Sequence, residues 1–194
     1  MKYLFIGAHV DDVELCAGGF LIRQLSLGHE CTVISLSSQY NGVSLIHEWL
    51  ESMNVIKPDF CWIKDFRTRY FSESRQQILE YLCTLKDFDY VLTHSAKDNH
   101  QDHKVVGEES LRAFKNSNLI TYSGEWNNRN LNKTYFIELF RDNVTKKIEA
   151  LKRYQSQVHR PYMHPDYIWS NAMNNGIICG TKYAEAFELI NMVE

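Results

Sequence analysis

The sequence lacks three features that mark common functional classes: paired cysteines, a strong excess of one charge, and a long apolar run. Its five cysteines are odd in number and never form a C-x-x-C pair; they are Cys16, Cys31, Cys61, Cys83 and Cys179. This pattern favours a reducing compartment and argues against a zinc site built from cysteine. The 21 basic and 24 acidic residues give a formal net charge of −3 without a basic run, so we expect no nucleic-acid partner.

Apolar stretches stay well below the roughly 18 residues that a transmembrane helix needs, so the sequence predicts no membrane span. The first apolar segment is too short for a signal peptide and is interrupted by His9 and Asp11, which leads us to expect a cytoplasmic protein. A length of 194 residues fits a single domain covering 1–194. The oligomeric state stays open, a homo-oligomer included.

Short apolar segments alternate with segments of helical periodicity through the first half of the chain. The patterns predict strands at 3–6, 31–36, 60–63 and 90–93. Between them they predict helices at 12–27, 45–53 and 74–85. This alternation indicates the α/β class, as a Rossmann-like, doubly wound, mostly parallel sheet with helices on both faces. We expect the strand order 3-2-1-4, which makes the first and fourth predicted strands neighbours.

The second half of the chain gives a less regular pattern. Helices are predicted at 104–114 and 143–157, and strands at 119–122 and 134–140. The segment 159–169 is rich in aromatic and polar residues and is predicted to be a loop that forms part of a substrate wall.

Ionisable side chains follow the first and fourth predicted strands. The first cluster has four such residues in six positions, namely His9, Asp11, Asp12 and Glu14. The second cluster consists of Asp98, His100, Asp102 and His103. Burying such groups is costly unless they are paired, and a divalent cation is the common partner of a histidine and two carboxylates. Because the two strands should lie side by side, we expect the clusters to form one metal site at the end of the sheet.

Four stretches of the sequence resemble one known family. His9-Val-Asp-Asp12, with Glu14 and Gly18-Gly19, resembles the first motif of the PIG-L/LmbE-like zinc deacetylases. The segment 98–103 resembles their second motif, and 147–157 and 180–187 resemble two later ones. The resemblance therefore covers nearly the whole chain, with the four motifs in the family's order.

The resemblance implies a role for each residue of the two clusters. It implies Zn²⁺ as the cofactor, or another divalent ion, with three ligands: His9, Asp12 and His103. Asp11 matches the general base that activates the attacking water. His100 matches the residue that stabilises the oxyanion or protonates the leaving amine. We group Asp102 with these catalytic residues, as a carboxylate that could hold an imidazole in the required tautomer.

The implied substrate is a small-molecule N-acetylated amino sugar or sugar conjugate. Residues assigned to substrate contact are Glu14, Arg67, Arg69, His159 and Tyr162. The sequence departs from the family at Val10, where proline is usual. It also has no arginine between Arg23 and Arg67, whereas many relatives have a substrate-contacting arginine in the segment that follows the second strand. Arg67 and Arg69 are the candidates to replace it. Whether Tyr154, Ser156 and Gln157 support the site or contact the substrate stays open.

Other interpretations of the same residues remain. The two clusters could be polar loops in which Asp12 and Asp102 cap helix N-termini. The same metal site could hydrolyse another amide, an ester or a carbamoyl group. Alternatively, the chain could be a sugar- or nucleotide-binding module without catalysis, although such a module would not need a general base.

Overall fold

The computed structural model describes residues 1–193, and most of its strands belong to one sheet. In chain order the strands are β1 (Lys2–His9), β2 (Glu30–Ser37), β3 (Gln39–Tyr40), β4 (Val43–Ser44), β5 (Phe60–Ile63), β6 (Tyr90–His94), β7 (Asn118–Tyr122), β8 (Tyr135–Glu138) and β9 (Ala184–Asn191). The two short strands β3 and β4 pair with each other as a separate hairpin. The other seven strands form the central sheet.

Helices connect most of the strands of this sheet. In chain order they are α1 (Asp12–Ser26), α2 (Ile46–Ile56), α3 (Arg75–Thr84), α4 (Gln101–Ala113), α5 (Arg141–Leu151) and α6 (Pro165–Cys179). Within residues 1–193, none of these helices has the length and apolar character needed to cross a membrane.

The central sheet has the order β5-β2-β1-β6-β7-β9-β8. Its first five strands pair in parallel, and β9 runs antiparallel between β7 and β8. The expected order 3-2-1-4 is confirmed, because it corresponds to β5-β2-β1-β6. The predicted class, a doubly wound and mostly parallel α/β sheet, is therefore correct.

Side chains of β1 alternate between two apolar cores, one on each face of the sheet. Tyr3 and Phe5 pack into the core that contains residues of α1, α2, α5 and α6. Leu4 and Ile6 pack into the core that contains residues of α3 and α4. Because both faces of β1 are covered, its sequence is a continuous apolar run and does not alternate with polar residues.

The structure departs from the sequence predictions mainly in the second half. Helix α4 begins at residue 101 instead of 104, and α5 ends at Leu151, with only a short 3₁₀ turn at Gln155–Gln157. The predicted loop at 159–169 is wrong beyond residue 164, because α6 begins at Pro165. Pro165 suits the first turn of a helix, and the His164 side chain accepts a hydrogen bond from the N–H of Asp166.

Strand β9 is not predicted by the sequence pattern. Its residues, Ala-Glu-Ala-Phe-Glu-Leu-Ile-Asn, include several that favour a helix by intrinsic propensity. In the structure β9 pairs with β7 on one side and β8 on the other. The hydrogen-bonded pairing on both sides of β9 outweighs the intrinsic preference of these residues for a helix.

A buried ion pair ties this strand to two helices. Lys147 Nζ lies 2.7 Å from Glu185 Oε1, and both side chains are less than a tenth exposed. Glu185 also accepts hydrogen bonds from the N–H groups of Gly19 and Phe20 in α1. A Cβ atom at Gly19 would come within 2.5 Å of Leu139 Cδ1 and 2.8 Å of the Glu185 carboxylate, so this close approach requires glycine.

We predict that Lys147→Met lowers the free energy of unfolding by about 3–5 kcal/mol, because it leaves the Glu185 carboxylate buried without its cation. Urea unfolding followed by circular dichroism measures the change. Lys146→Met on the same helix is the control. Within residues 1–193 the Lys146 side chain makes one hydrogen bond, to the carbonyl of Ile56, so this substitution should cost about 1 kcal/mol. Equal effects of the two substitutions would contradict this account of the ion pair.

Candidate metal centre and its cavity

The two clusters of ionisable residues meet where β1 and β6 lie side by side. After β1 the chain passes to β2 on one side, and after β6 it passes to β7 on the other, so a crevice opens at the carboxyl ends of these strands. His9 ends β1, Asp12 begins α1, and His103 lies in the first turn of α4. The topology thus brings together residues that are some ninety positions apart.

Three of these side chains direct donor atoms towards one point. His103 Nε2 lies 3.3 Å from His9 Nδ1 and 3.4 Å from Asp12 Oδ1. His9 Nδ1 lies 3.5 Å from Asp12 Oδ2. Zinc–nitrogen and zinc–oxygen bonds of about 2.0–2.1 Å in a tetrahedron require ligand atoms about 3.3–3.4 Å apart. The three distances of this triangle are close to that value, and the two that involve Asp12 are measured to different oxygens of its carboxylate.

The other ring nitrogen of each histidine is held by a buried carboxylate. His9 Nε2 lies 3.0 Å from Asp102 Oδ2, and His103 Nδ1 lies 3.2 Å from Asp98 Oδ2. Each outer nitrogen can donate its proton to the carboxylate, which leaves the inner nitrogen with a free lone pair. Metal-ligating histidines usually donate their other ring N–H to such a partner, so both the donor set and its surroundings fit zinc.

Asp102 contacts the His9 ring and does not itself line the cavity. Its carboxylate is fully buried and, besides His9, accepts hydrogen bonds from the N–H groups of Arg69 (2.6 Å) and Phe71 (3.3 Å). Asp102 is grouped above with the catalytic residues, as a carboxylate that could hold an imidazole. The structure places it behind the His9 ring, so any part it takes in catalysis acts through that ring.

His94 also lies close to the three donor atoms. With Asp12 and His103 it forms one group of potential ligands, and His9, His100 and His103 form another. However, His94 Nε2 lies 3.0 Å from the Ala8 N–H, which donates a hydrogen bond to it, and 3.1 Å from Asp12 Oδ2. Because the Ala8 N–H occupies the lone pair of His94 Nε2, we do not count His94 among the candidate metal ligands.

The charges of the centre depend strongly on one another. Burial lowers the pKa of His9, but hydrogen bonds to Asp102 and Asp12 outweigh this effect and raise the pKa to about 10. Burial favours a raised pKa for Asp12, but the nearby His103 and His94 hold that pKa well below its usual range. Asp12 is thus a carboxylate throughout the neutral pH range.

Asp11 lies in a tight turn between β1 and α1. Its backbone has a φ of 82°, in the left-handed region that Asp adopts more readily than most residues. The Asp11 N–H donates to Tyr154 Oη at 3.1 Å, and the Tyr154 hydroxyl donates to Glu14 Oε1 at 2.5 Å. Ser52 donates a second hydrogen bond to Glu14. This buried chain of hydrogen bonds fixes the turn that presents Asp11 to the cavity.

Two groups in the cavity have shifted pKa values. Burial raises the pKa of Asp11 well above its usual value, and the neighbouring charge of Asp12 adds to the shift. Burial and the charge of His103 lower the pKa of His100 to about 4. His100 Nδ1 accepts a hydrogen bond from the Asp102 N–H at 3.2 Å, so the neutral ring carries its proton on Nε2.

The centre opens into a cavity of about 350 Å³, a size that ordinary small-molecule sites have. His9, Asp11, Asp12, His100 and His103 lie along one side of it. The remaining walls include Tyr40, Asn41, Arg69, Trp126, Gln157, Arg160 and Tyr162. The rings of Trp126 and Tyr162 are stacked, with centroids 4.0 Å apart and planes within 6° of parallel.

Of the five residues assigned to substrate contact, only Arg69 and Tyr162 line this cavity. Glu14 is 1% exposed and is bonded to Tyr154 and Ser52, so it cannot reach a substrate. Arg67 is exposed and stacks on Tyr70, with its guanidinium carbon 3.7 Å from the ring centroid. His159 is exposed and does not line the cavity.

Arg160, which is not among the residues assigned to substrate contact, lines the cavity close to Asp11. The one sequence feature that points to it is its place in the segment 159–169, for which a role in a substrate wall is predicted. The sequence leaves open whether Tyr154, Ser156 and Gln157 support the site or contact a substrate. In the structure Gln157 lines the cavity, and Tyr154 holds the Asp11 turn by a hydrogen bond. Ser156 bonds to Glu48 at the surface.

A family model described as PIG-L: GlcNAc-PI de-N-acetylase matches residues 4–114, which include both clusters. No curated protein matches the sequence.

Several solved structures have the same fold. The conserved protein TT1542 from Thermus thermophilus gives a TM-score of 0.80 at 20% identity, over 99% of this chain and 95% of that chain. N,N′-diacetylchitobiose deacetylase from Pyrococcus horikoshii gives 0.69 at 20% identity, over 97% and 83%. GalB, the 4-carboxy-2-hydroxymuconate hydratase from Pseudomonas putida KT2440, gives 0.73 at 16% identity, over 100% and 99%. These likenesses establish the fold, which both a deacetylase and a hydratase adopt.

We predict that Tyr154→Phe lowers the free energy of unfolding by about 1–3 kcal/mol, because the Asp11 N–H and the Glu14 carboxylate each lose a buried partner. Chemical denaturation measures the loss. Tyr183→Phe is the matched control, since Tyr183 is also buried but its hydroxyl makes no hydrogen bond within residues 1–193. If Tyr183→Phe cost as much, the loss would reflect the removal of a hydroxyl from any buried tyrosine and would say nothing about the turn.

Proposed function

The chain belongs to the PIG-L family, and we propose that it is a zinc-dependent hydrolase that removes the N-acetyl group of an amino sugar or sugar conjugate. The observation that carries the proposal is the triangle of His9 Nδ1, Asp12 and His103 Nε2 beside the Asp11 carboxylate. The triangle lies in a cavity large enough for a sugar ring.

In this proposal His9, Asp12 and His103 hold the metal ion, and Asp102 and Asp98 fix the two imidazole rings from behind. When bound, zinc supplies Lewis-acid chemistry, which polarises a carbonyl group and makes water acidic enough to ionise near neutral pH. Three protein ligands leave a position open, as catalytic zinc sites require.

Asp11 is the proposed general base. It follows the last strand residue by two positions, and the adjacent Asp12 carboxylate accepts a hydrogen bond from the His9 N–H and lies beside His103. The Asp11 carboxylate therefore remains to take a proton from the attacking water. The water oxygen bonds to the carbonyl carbon, the C–N bond then breaks, and the proton passes to the leaving nitrogen.

His100 is the proposed partner of the substrate oxygen. Its Nδ1 is occupied by the Asp102 N–H, so Nε2–H is the group available to donate a hydrogen bond. A donor fixed at the start of α4 can stabilise the negative charge that develops on the carbonyl oxygen. The same proton could serve the departing amine.

The aromatic wall of the cavity supports the choice of substrate class. Trp126 is about a third exposed, and Tyr162 stacks against it. Such rings offer flat apolar surfaces that suit the C–H face of a sugar, while Asn41 and Gln157 offer hydrogen bonds to hydroxyl groups.

An acetate-release assay tests the proposed function. The metal-loaded protein is incubated with N-acetylglucosamine, its oligosaccharides, its phosphates and nucleotide-linked forms, and released acetate is measured by a coupled enzyme assay. We expect release from at least one compound, loss of activity with a chelator and recovery on adding zinc.

One alternative has a specific observation in its favour, the shared fold with a hydratase. A hydratase would add water to a carbon–carbon double bond and release no acetate. If the panel yields no acetate but an unsaturated carboxylate is hydrated, the deacetylase proposal is wrong. If no compound reacts while a sugar binds, the chain is a binding module.

We predict that Asp11→Asn binds zinc as the native protein does and loses about 10²- to 10⁴-fold in the rate of acetate release, because Asn cannot accept the proton. Metal content by atomic absorption and steady-state kinetics give the two measurements. Asp166→Asn, at an exposed carboxylate, is the control and should keep full activity. Full activity in Asp11→Asn would remove Asp11 from the mechanism.

A further inference from the structure

Two arginines, Arg69 and Arg160, line the cavity beside the candidate metal centre. Arg69 and Arg160 are the only lysine or arginine residues among those that line it in the described part of the chain. Together with Tyr40 and Asn41 they form what we term the arginine wall. The proposed deacetylation uses neither guanidinium.

Arg160 is partly buried yet only loosely paired. Its side chain is 22% exposed, and its nearest carboxylate contact is Nη1 to Asp11 Oδ2 at 3.9 Å, which is too long for a hydrogen bond. The guanidinium carbon lies over the Tyr40 ring, 4.7 Å from its centroid, and 5.7 Å from that of Tyr162. A partly desolvated guanidinium without a close anion attracts one strongly.

Arg69 reaches the same wall from a fixed backbone. Its φ is 74°, and its N–H donates to the buried Asp102 carboxylate, which ties this residue to the metal centre. Its guanidinium donates to Asn41 Oδ1 at 3.0 Å. Within residues 1–193, no carboxylate lies within salt-bridge distance of this guanidinium.

The two arginines meet at the hairpin that carries Tyr40 and Asn41, since Arg160 lies over the Tyr40 ring and Arg69 donates to Asn41. The nearby Arg160 guanidinium lowers the pKa of the Tyr40 hydroxyl, and the charge of Arg69 adds a smaller effect. The Tyr40 hairpin is held against the loop that contains Arg69, since Thr68 Oγ1 donates to the Gln39 carbonyl at 2.9 Å. The wall is therefore built from three chain segments that contact one another.

We infer that the arginine wall is an anion subsite, which binds a carboxylate or phosphate group carried by the sugar conjugate. The guanidinium groups of Arg160 and Arg69 present planar forks of N–H donors, which match the oxygen pairs of these anions. The identity of the sugar rests on the proposed function, whereas the preference for an anion does not.

In the alternative role, Arg160 binds no anion and only places its positive charge near Asp11, with Nη1 3.9 Å from Asp11 Oδ2. In that case its removal would change the rate of catalysis equally for charged and uncharged substrates. Binding of an anionic ligand would not depend on Arg160.

Isothermal titration calorimetry with amino sugars tests the subsite without turnover, because these sugars have no acetyl group to lose. The probes are glucosamine, glucosamine 1-phosphate, glucosamine 6-phosphate and muramic acid, which carries a carboxylate. We expect at least one charged probe to bind about 10- to 100-fold more tightly than glucosamine. The phosphate and carboxylate probes distinguish the two anions.

Substitutions at Arg160 and Arg69 test whether these two residues cause the tighter binding of the charged probe. Arg160→Gln and Arg69→Gln should each remove most of the advantage of the charged probe and leave glucosamine binding within about threefold, whereas Arg160→Lys should retain part of it. Arg67→Gln is the matched control, because it removes the same charge from the same loop at an arginine that stacks on Tyr70 outside the cavity.

The outcomes separate this inference from the proposed function. If charged and uncharged sugars bind alike, or if Arg67→Gln acts as Arg160→Gln does, the anion subsite is wrong even when acetate is released from a neutral sugar. If the charged probe binds through Arg160 and Arg69 but no acetylated sugar reacts, the subsite stands and the deacetylase proposal fails.

Discussion

Two hydrogen bonds between a buried carboxylate and an imidazole, Asp102 to His9 and Asp98 to His103, determine how the candidate centre can work. Each bond occupies the outer nitrogen of a ring and turns the inner nitrogen towards Asp12. Without these bonds the rings could rotate, and the triangle of donor atoms would not be maintained. The carboxylates are themselves held, Asp102 by backbone N–H groups and Asp98 by the Ser123 hydroxyl and the His100 N–H. The electrostatic cost of burying these charges is offset only because every group has a partner.

The sheet topology makes these contacts possible. His9 ends β1 and His103 lies at the start of α4, which follows β6, so the adjacency of β1 and β6 brings both histidines to the same crevice. The backbone N–H groups that hold Asp102 come from the loop after β5, at the far side of β2. Three connections at the carboxyl end of the sheet thus meet in one hydrogen-bonded unit, as is typical of ligand sites in open α/β sheets.

The second half of the chain supplies the support and the walls of the cavity. Tyr154, just after α5, fixes the Asp11 turn, and Arg160 and Tyr162 form part of the wall. The buried Lys147–Glu185 pair joins α5 and β9 to α1, the helix that begins with Asp12. Several residues that line the cavity therefore lie in a segment whose local sequence pattern is weak, and that pattern does not show that Arg160 lines the cavity whereas His159 does not. Glu14 and Arg67 lie in the first half, but a local pattern does not give the direction of their side chains.

The α/β class, the order β5-β2-β1-β6 and the convergence of the two ionisable clusters can be predicted from local sequence patterns alone. These features follow from local periodicity and from the rule that places neighbouring parallel strands, so they need no knowledge of distant contacts. The contacts of individual side chains, in contrast, depend on how distant segments pack together. Glu14 points inward because Tyr154 and Ser52 donate hydrogen bonds to its carboxylate. Asp102 lies behind the His9 ring and contacts it. Residues 184–191 form strand β9 because β7 and β8 pair with them on both sides. The direction of a side chain and the partner it meets depend on residues far along the chain, and a local pattern does not contain that information.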